Sequence, residues 1–148
     1  MNLKAQLQEE LKKAMKSKDA LRKKVLRMAL AEVKNAEIAK REELEKPEIL
    51  GVLQKAVKAR RETIEGAEQA NRPDLIEEAK AEITILEEFL PEAMTEEELR
   101  TIVEEIVAQV GATSMRDIGK VMGALIPKIK GRADGGVANK LVREIIGQ

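Results

Sequence analysis

The 148-residue sequence contains no cysteine and no histidine. Without cysteine the chain can form no disulfide, no thiolate nucleophile and no cysteine metal site. Without histidine it lacks the usual acid-base group of neutral pH and the commonest metal ligand. These two absences exclude most familiar kinds of active site.

Aromatic residues and long apolar runs are also scarce. Tryptophan and tyrosine are absent and Phe89 is the only aromatic residue, so the chain offers no platform on which unpaired bases could stack. No segment has the roughly eighteen apolar residues that a membrane span needs, and the N-terminus has no apolar signal-peptide core. We therefore expect a cytoplasmic protein that has no membrane partner.

The remaining catalytic options have simpler explanations. Glu87 with Glu88, or Glu96 through Glu98, could form a carboxylate metal site, but solvated helix faces and helix N-terminal charge explain these runs. Ser17 and Ser114 lie near lysines, yet each has a capping or turn role and no oxyanion-hole motif. The glycines do not match a P-loop. We expect no catalytic residue, no metal and no cofactor in the chain by itself.

A formal net charge of zero hides a segregation of charge along the chain. Residues 1–61 carry 17 Lys and Arg against 9 Asp and Glu, residues 62–105 carry 3 against 15, and residues 106–148 carry 7 against 3. Charged helix faces are commonly just solvated. A surface that serves only solubility, however, usually intersperses the two signs, so the basic segments are candidates for binding an anionic partner.

Helical periodicity of apolar residues runs through residues 1–91 and predicts four helices. Asp19 is placed to cap the second helix, which should stop near Pro47. The third should end around Ala70, and the fourth should run from N-R-P-D to Pro91. The predicted inward positions include Leu3, Leu7, Leu11, Leu21, Val25, Met28, Val33, Ile49, Leu53, Ala56, Val57, Leu75, Ala79, Ile83, Leu86 and Leu90.

Beyond Pro91 the same periodicity predicts three shorter helices. Thr95 and Glu98 form a capping-box pattern, and Ser114 and Asp117 form a second one. Pro127 should weaken or end the middle helix, leaving K-I-K-G-R-A as a loop before Asp134 caps the last helix. The apolar sets of the last two helices are Ile118, Val121, Met122, Leu125 and Ile126, and then Val137, Leu141, Val142, Ile145 and Ile146.

The sequence therefore predicts an all-α protein. An N-terminal helical, bundle-like domain of residues 1–91 is followed by a small three-helix C-terminal domain of residues 92–148. No strand pattern competes with this interpretation.

The stretch from Thr113 to Gly135 combines cations with glycines. Arg116, Lys120 and Lys128 fall at i, i+4 and i+12, and Gly119 and Gly123 lie one position round from them. Phosphate contacts need long cationic side chains and close approach to the backbone, and this segment supplies both. The candidate RNA-binding residues are Arg116, Lys120, Lys128, Lys130, Arg132, Lys140 and Arg143, with Gly119, Gly123 and Gly131 allowing close approach.

Each of these features has a structural alternative. Gly119 and Gly123 could exist only so that a neighbouring helix packs closely. Gly135 and Gly136 leave the first-turn amides of the last helix open to an anion, but Asp134 could satisfy those amides instead.

The segment G-A-T-S-M-R-D-I-G-K-V-M-G-A-L-I-P-K-I-K-G-R-A-D-G-G-V-A-N-K-L-V resembles the signature of the YqeY-like (GatB/YqeY) family. That family is similar to the tail region of the GatB chain of bacterial aspartyl/glutamyl-tRNA amidotransferase. The resemblance implies an all-α chain with an N-terminal helical domain and a three-helix C-terminal domain. In the amidotransferase the tail helps to hold the tRNA, which implies RNA contact for the candidate cations.

The leading hypothesis is therefore a non-catalytic, tRNA-binding accessory protein with a role in translation, which recognises the folded shape and backbone of RNA. The alternative is a protein-interaction module or subunit that associates with an amidotransferase, a carbon-nitrogen ligase with glutamine as amido donor, or with a tRNA-charging enzyme. A third hypothesis is an enzyme subunit that acts only after assembly with catalytic chains.

Overall fold

The computed structural model describes residues 2–147, which form seven α-helices, a short 3-10 turn and no strand. This confirms the all-α prediction. In chain order the elements are α1 (Leu3–Ser17), α2 (Ala20–Lys40), α3 (Lys46–Gln69), α4 (Pro73–Glu87), α5 (Glu96–Val110), the 3-10 turn (Met115–Asp117), α6 (Ile118–Ile129) and α7 (Gly135–Ile146). They form two compact units, the first ending at Pro91 and the second starting at Glu92.

Helices α1 and α2 begin at side-chain caps. The Asn2 side chain accepts a hydrogen bond from the Ala5 N–H, and the Asp19 side chain accepts one from the Arg22 N–H, as expected for Asp19. The prediction that the second helix continues towards Pro47 is wrong. Helix α2 ends at Lys40 because Arg41 adopts the left-handed conformation, with φ of 65°, that commonly terminates helices.

Helix α3 begins before Pro47 rather than after it. Glu45 and Glu48 form a reciprocal capping box, and Pro47 occupies the first turn, where a missing N–H costs nothing. The predicted fourth helix begins at Pro73 as expected, but it ends at Glu87, before the predicted limit at Pro91.

The core of the N-terminal unit is built from all four of its helices, with fully buried Leu7, Val25, Leu26, Val33 and Leu53 at its centre. Two residues predicted to point inward do not. Met28 is 41% exposed and Leu75 is 37% exposed, so each lies at the edge of the helix packing. Apolar periodicity marks the inward side of a helix, but it does not say how far the neighbouring helix covers that side.

The opposite charges of the first two sequence segments meet within the N-terminal unit. Arg22 on α2 contacts Glu88 just after α4, Lys24 contacts Glu78 at 3.0 Å, and Arg60 on α3 contacts Glu82 at 2.6 Å. Helix α4 therefore supplies carboxylates to the cations of α2 and α3. Much of the charge segregation in residues 1–91 is explained by pairing between packed helices.

The C-terminal unit opens with the predicted capping box. The Thr95 hydroxyl accepts a hydrogen bond from the Glu98 N–H at 3.1 Å, and the Glu98 carboxylate accepts one from the Thr95 N–H at 3.3 Å. Gly111 ends α5 in the left-handed conformation, with φ of 68°. The Ser114 and Asp117 pair is also present, but it starts the 3-10 turn, and α6 follows directly at Ile118.

Pro127 does not end the middle helix of this unit. Helix α6 continues to Ile129, because a proline in the last turn removes only its own hydrogen bond, while the Lys130 N–H still donates to the Ile126 carbonyl. The predicted K-I-K-G-R-A loop is correspondingly shorter and starts at Lys130. Gly131, with φ of 86°, makes the turn that leads to α7.

The core of the C-terminal unit draws on α5, α6 and α7, with Val103, Ile106, Val121, Leu125 and Val142 fully buried. Two residues predicted for this core are exposed instead. Ile126 is 38% exposed and Val137 is 57% exposed. Within residues 2–147, no helix has the length and apolar character that a membrane crossing requires.

Candidate interaction face of the C-terminal unit

Helix α6 divides into a buried side and a bare outer side. Val121, Leu125 and Ile129 point into the core, whereas Gly119 and Gly123 are exposed. A Cβ atom added to either glycine would meet no neighbouring atom within 4 Å. The alternative that these glycines admit a neighbouring helix of the chain therefore has no support in the described structure, and the helix backbone faces open space there.

Helix α7 runs antiparallel to α6 along one edge of this bare side. At its start, a Cβ on Gly135 would lie 3.5 Å from Ile126 Cδ1, near the end of α6. At its end, a Cβ on Gly147 would lie 3.8 Å from Met115 Sδ, just before α6. Helix α7 thus packs lengthwise beside α6, and its polar side is exposed next to that helix.

Four exposed cations surround this surface. Arg116 lies in the 3-10 turn, Lys120 on the outer side of α6, and Lys140 and Arg143 on the polar side of α7. Arg143 donates one hydrogen bond to Asn139 Oδ1 at 2.8 Å. None of the four forms an ion pair with another residue in the described part of the chain, so their charges are available to a partner. We name the exposed surface formed by these residues the α6–α7 face: Arg116, Gly119, Lys120, Gly123, Ile126, Lys140 and Arg143.

The predicted row of Arg116, Lys120 and Lys128 is not a single helical row. Arg116 precedes α6 and belongs to the 3-10 turn. Lys128 is eight residues beyond Lys120, and at about 100° per residue this places it about 80° further round the helix. Lys128 and Lys130 are exposed and form no ion pair among the described residues, but the helical offset places Lys128 away from the two glycines.

Arg132 is a structural residue of the C-terminal unit. Its Nε–H donates to the Glu92 carbonyl at 3.0 Å, its guanidinium lies 3.5 Å from a Glu98 carboxylate oxygen, and its own carbonyl accepts from the Met94 N–H at 2.9 Å. These bonds hold the segment before α5 against the turn after α6. Gly131 is buried in that turn, so its role there is conformational.

The two aspartates near the helix starts differ in their contacts. The Thr113 N–H donates to Asp117 Oδ2 at 3.0 Å, and this bond is the main cause that lowers the pKa of Asp117. A longer bond from the Ser114 N–H and the charge of Lys120 lower the pKa further. Asp134 stands at the N-cap of α7 without a side-chain capping bond, but its Oδ2 would lie 3.2 Å from a Cβ on Gly136. A carboxylate beside the first turn of α7 disfavours the proposed anion site there.

The exposed position of Ile126 on this surface is not predicted by the apolar pattern, which assigns Ile126 to the core together with Leu125. The sequence does carry a signal, however. Residues 125 and 126 are separated by about 100° on a helix, so only one of them can point at the centre of the core.

Two depressions on the N-terminal unit, of about 310 and 370 Å³, share Ala59 and Arg60 in their linings. The Arg60 guanidinium is already engaged there by Glu82 and by the Ala56 carbonyl. Across the described residues, no group of three or more carboxylates is placed to hold a metal ion.

The fold and the surface define an all-α protein of two helical units, the second of which carries a face with unpaired cations around bare backbone in the described part of the chain. The chain belongs to the YqeY-like protein family, whose family model matches residues 4–146.

Fungal proteins named "Altered inheritance of mitochondria protein 41, mitochondrial" are similar to this chain. The protein from Pyrenophora tritici-repentis is 31% identical over 144 residues, covering 95% of this chain and 79% of its own length. The protein from Lachancea thermotolerans is 38% identical over 87 residues, and that from Kluyveromyces lactis is 39% identical over 97 residues. These last two matches cover 58% and 63% of this chain, and 46% and 52% of the relatives' own lengths.

These relatives contradict the predicted function. They are named for the inheritance of mitochondria, and not for tRNA, amidation or tRNA charging. The hypothesis of a tRNA-binding accessory protein is therefore wrong. Its alternative, association with an amidotransferase or a tRNA-charging enzyme, is contradicted by the same names. The reason is that a shared fold does not carry a shared task, and positive charge alone does not select RNA.

The predicted cytoplasmic location is contradicted by the same relatives, which are named as mitochondrial proteins. The prediction depended on the absence of apolar segments, and that absence does not distinguish one aqueous compartment from another.

Proposed function

We propose that this protein is a non-catalytic binding protein that holds an acidic protein partner on the α6–α7 face. The observation that carries the proposal is that four exposed cations without ion pairs among the described residues lie around one surface of the C-terminal unit. Cations such as Arg22, Lys24 and Arg60 are paired with carboxylates of the N-terminal unit. The four cations of the α6–α7 face have no such pairs among the described residues and surround one surface.

The composition of this face favours a protein as the partner. Protein interfaces commonly have a partly apolar centre and a polar rim. Ile126 and the glycine backbone supply the centre, and the four cations supply the rim. A complementary partner would carry carboxylates around a small apolar patch, because charge complementarity steers association and sets the register of binding.

The non-catalytic part of the proposal is supported by the residue types of the chain. Without histidine or cysteine, acid-base and nucleophilic chemistry would fall to lysines, carboxylates and hydroxyls. On the α6–α7 face the cations are exposed, and the carboxylate on which Lys120 acts, Asp117, already accepts hydrogen bonds from the Thr113 and Ser114 N–H groups.

Nuclear magnetic resonance titration tests the proposal. A synthetic 20-residue peptide of glutamate, alanine and leucine is added to the ¹⁵N-labelled protein at low salt. We expect the largest amide shifts in residues 116–126 and 136–143. Shifts that spread evenly over both units, or binding to vesicles of anionic lipid but not to the peptide, would contradict an acidic protein partner.

A charge-reversal variant and a matched control sharpen the test. Arg116→Glu, Lys120→Glu and Lys140→Glu together reverse three rim cations, and at about 1 kcal/mol for each reversal we expect roughly 100-fold weaker binding. Lys12→Glu, Lys16→Glu and Lys34→Glu change the net charge equally, at exposed positions of the N-terminal unit that form no ion pair among the described residues. Equal losses in both variants would show that only net charge matters.

A further inference from the structure

The α6–α7 face has a second feature besides its charge: the fold of the chain does not require glycine at positions 119 and 123, yet Gly119 and Gly123 are both glycines. Neither has the positive φ that favours glycine, since Gly111 and Gly131 are the glycines with positive φ in the described chain. Neither faces a neighbour that an added Cβ would meet within 4 Å. Glycine in the interior of a helix is less favourable than alanine by about 1 kcal/mol, so Gly123 carries a cost in stability that the fold of this chain does not explain, whereas Gly119 lies in the first turn of α6.

The spacing of the two glycines matches a helix contact. Residues four apart lie on the same side of a helix, so Gly119 and Gly123 form a continuous bare strip. Small residues at this spacing let a second helix approach until the two backbones nearly touch. Pro127, one turn beyond Gly123, is exposed beside the strip. It has no backbone N–H, and its ring extends only a short way from the helix.

The cations flank this strip. Lys120 lies beside it on α6, Arg116 lies just before α6, and Lys140 and Arg143 lie on the exposed side of α7, the helix packed beside α6. A helix seated on the strip would therefore pass between positive side chains on both sides, and charge complementarity requires carboxylates on its two flanks.

Building on the proposed function, we infer that the acidic partner binds the α6–α7 face as a helix, with small residues packed on Gly119 and Gly123 and acidic residues on either side. A flexible acidic tail would use the cations but would gain nothing from the bare backbone. The partner's helical segment thus has a composition that can be recognised: an alanine or glycine stripe with glutamates or aspartates flanking it.

Two labelled probe peptides test this inference by fluorescence anisotropy. The first is an 18-residue peptide with an alanine stripe and flanking glutamates, held helical by a hydrocarbon staple. The second has the same composition and charge, but two prolines in its middle prevent a helix. We expect the helical peptide to bind the full-length protein at least tenfold more tightly than the proline peptide.

The deciding variant is Gly119→Ala with Gly123→Ala. Alanine fits the helix and meets no neighbour, so the thermal midpoint should rise by a few degrees while two methyl groups fill the strip. We expect at least tenfold weaker binding of the helical peptide and unchanged binding of the proline peptide. Gly66→Ala is the matched control, because Gly66 is also exposed in a helix with nothing within 4 Å of an added Cβ, and it should change neither affinity.

The outcomes separate this inference from the proposed function. If the two peptides bind equally, or if the double alanine variant binds the helical peptide as the unchanged protein does, the helix inference is overturned while the acidic partner stands. If neither peptide binds and the charge reversal has no effect, both are overturned. Dimerisation that the glycine variant abolishes, measured by analytical ultracentrifugation, would assign the strip to a second copy of this chain and overturn the inference of a separate partner.

Discussion

Removal of one core side chain should unfold the C-terminal unit and leave the N-terminal unit folded. Leu125 is completely buried in the core of α5, α6 and α7. Leu125→Ala deletes three buried carbon atoms and opens a cavity, which costs about 3–5 kcal/mol in comparable cores. A unit of this size is stabilised by only about 3–9 kcal/mol, at about 0.05–0.15 kcal/mol for each residue. The substitution therefore removes a large part, or all, of what keeps this unit folded.

Circular dichroism and peptide binding together measure the effect. Helices α5, α6 and α7 contribute roughly a third of the helical residues, so we expect the helical signal at 25 °C to fall by up to that share. Binding to the α6–α7 face should fall with it. Leu53→Ala removes the same atoms from an equally buried site in the N-terminal core, and it should lower the stability of that unit while binding persists.

If both variants unfold in a single transition with the same midpoint, and peptide binding is lost in parallel, the two cores behave as one cooperative structure. The prediction that the C-terminal unit unfolds separately, with its own marginal stability, would then be wrong.

Three further predictions concern single interactions. Arg60→Met should destabilise the protein by about 3 kcal/mol, because it leaves the partly buried Glu82 with only the longer 3.8 Å contact to Lys24. Arg60→Met with Glu82→Leu should come within about 1 kcal/mol of the original protein in urea unfolding, and equal losses would contradict this. Lys4 and the Leu44 N–H lower the pKa of Glu37, so its contribution to stability is present above the ordinary glutamate pKa and is lost as pH falls through the lower folded value. Glu37→Gln should therefore flatten the loss of stability between pH 5 and pH 3 in urea unfolding, and an unchanged pH dependence would argue against the pair. Thr95→Ala should cost about 1 kcal/mol in thermal unfolding and Thr95→Asp should restore it; a loss shared by both would point away from capping.

Helix starts are the part of the fold that the sequence predicts best. Asp19, Thr95 and Ser114 can be recognised because a cap and its partner N–H lie within three residues of each other. Helix ends are predicted less well. Arg41 ends α2 in a left-handed conformation that arginine seldom adopts, so no residue type at that position signals the end.

The candidate site is predicted in part. The cation and glycine pattern indicates Lys120, Gly119 and Gly123, which lie together on the α6–α7 face. The same pattern includes Arg132, whose guanidinium the structure uses to hold the start of its own unit. The residues next to a cation in the sequence do not reveal whether its side chain will bind a carboxylate or a carbonyl of a distant segment.

The all-α class, most helix starts and the apolar side of each helix can be predicted from the sequence, because caps and the 3.6-residue period are local and act within a turn or two. Which charges are neutralised and which surfaces stay bare depends on the packing of distant segments. Arg22 and Glu88 are 66 residues apart and Arg60 and Glu82 are 22 apart, so their pairing depends on how the helices pack. The open space over Gly119 and Gly123 follows from the same packing, because α5 and α7 bury one side of α6 and leave the other side to solvent or to a partner.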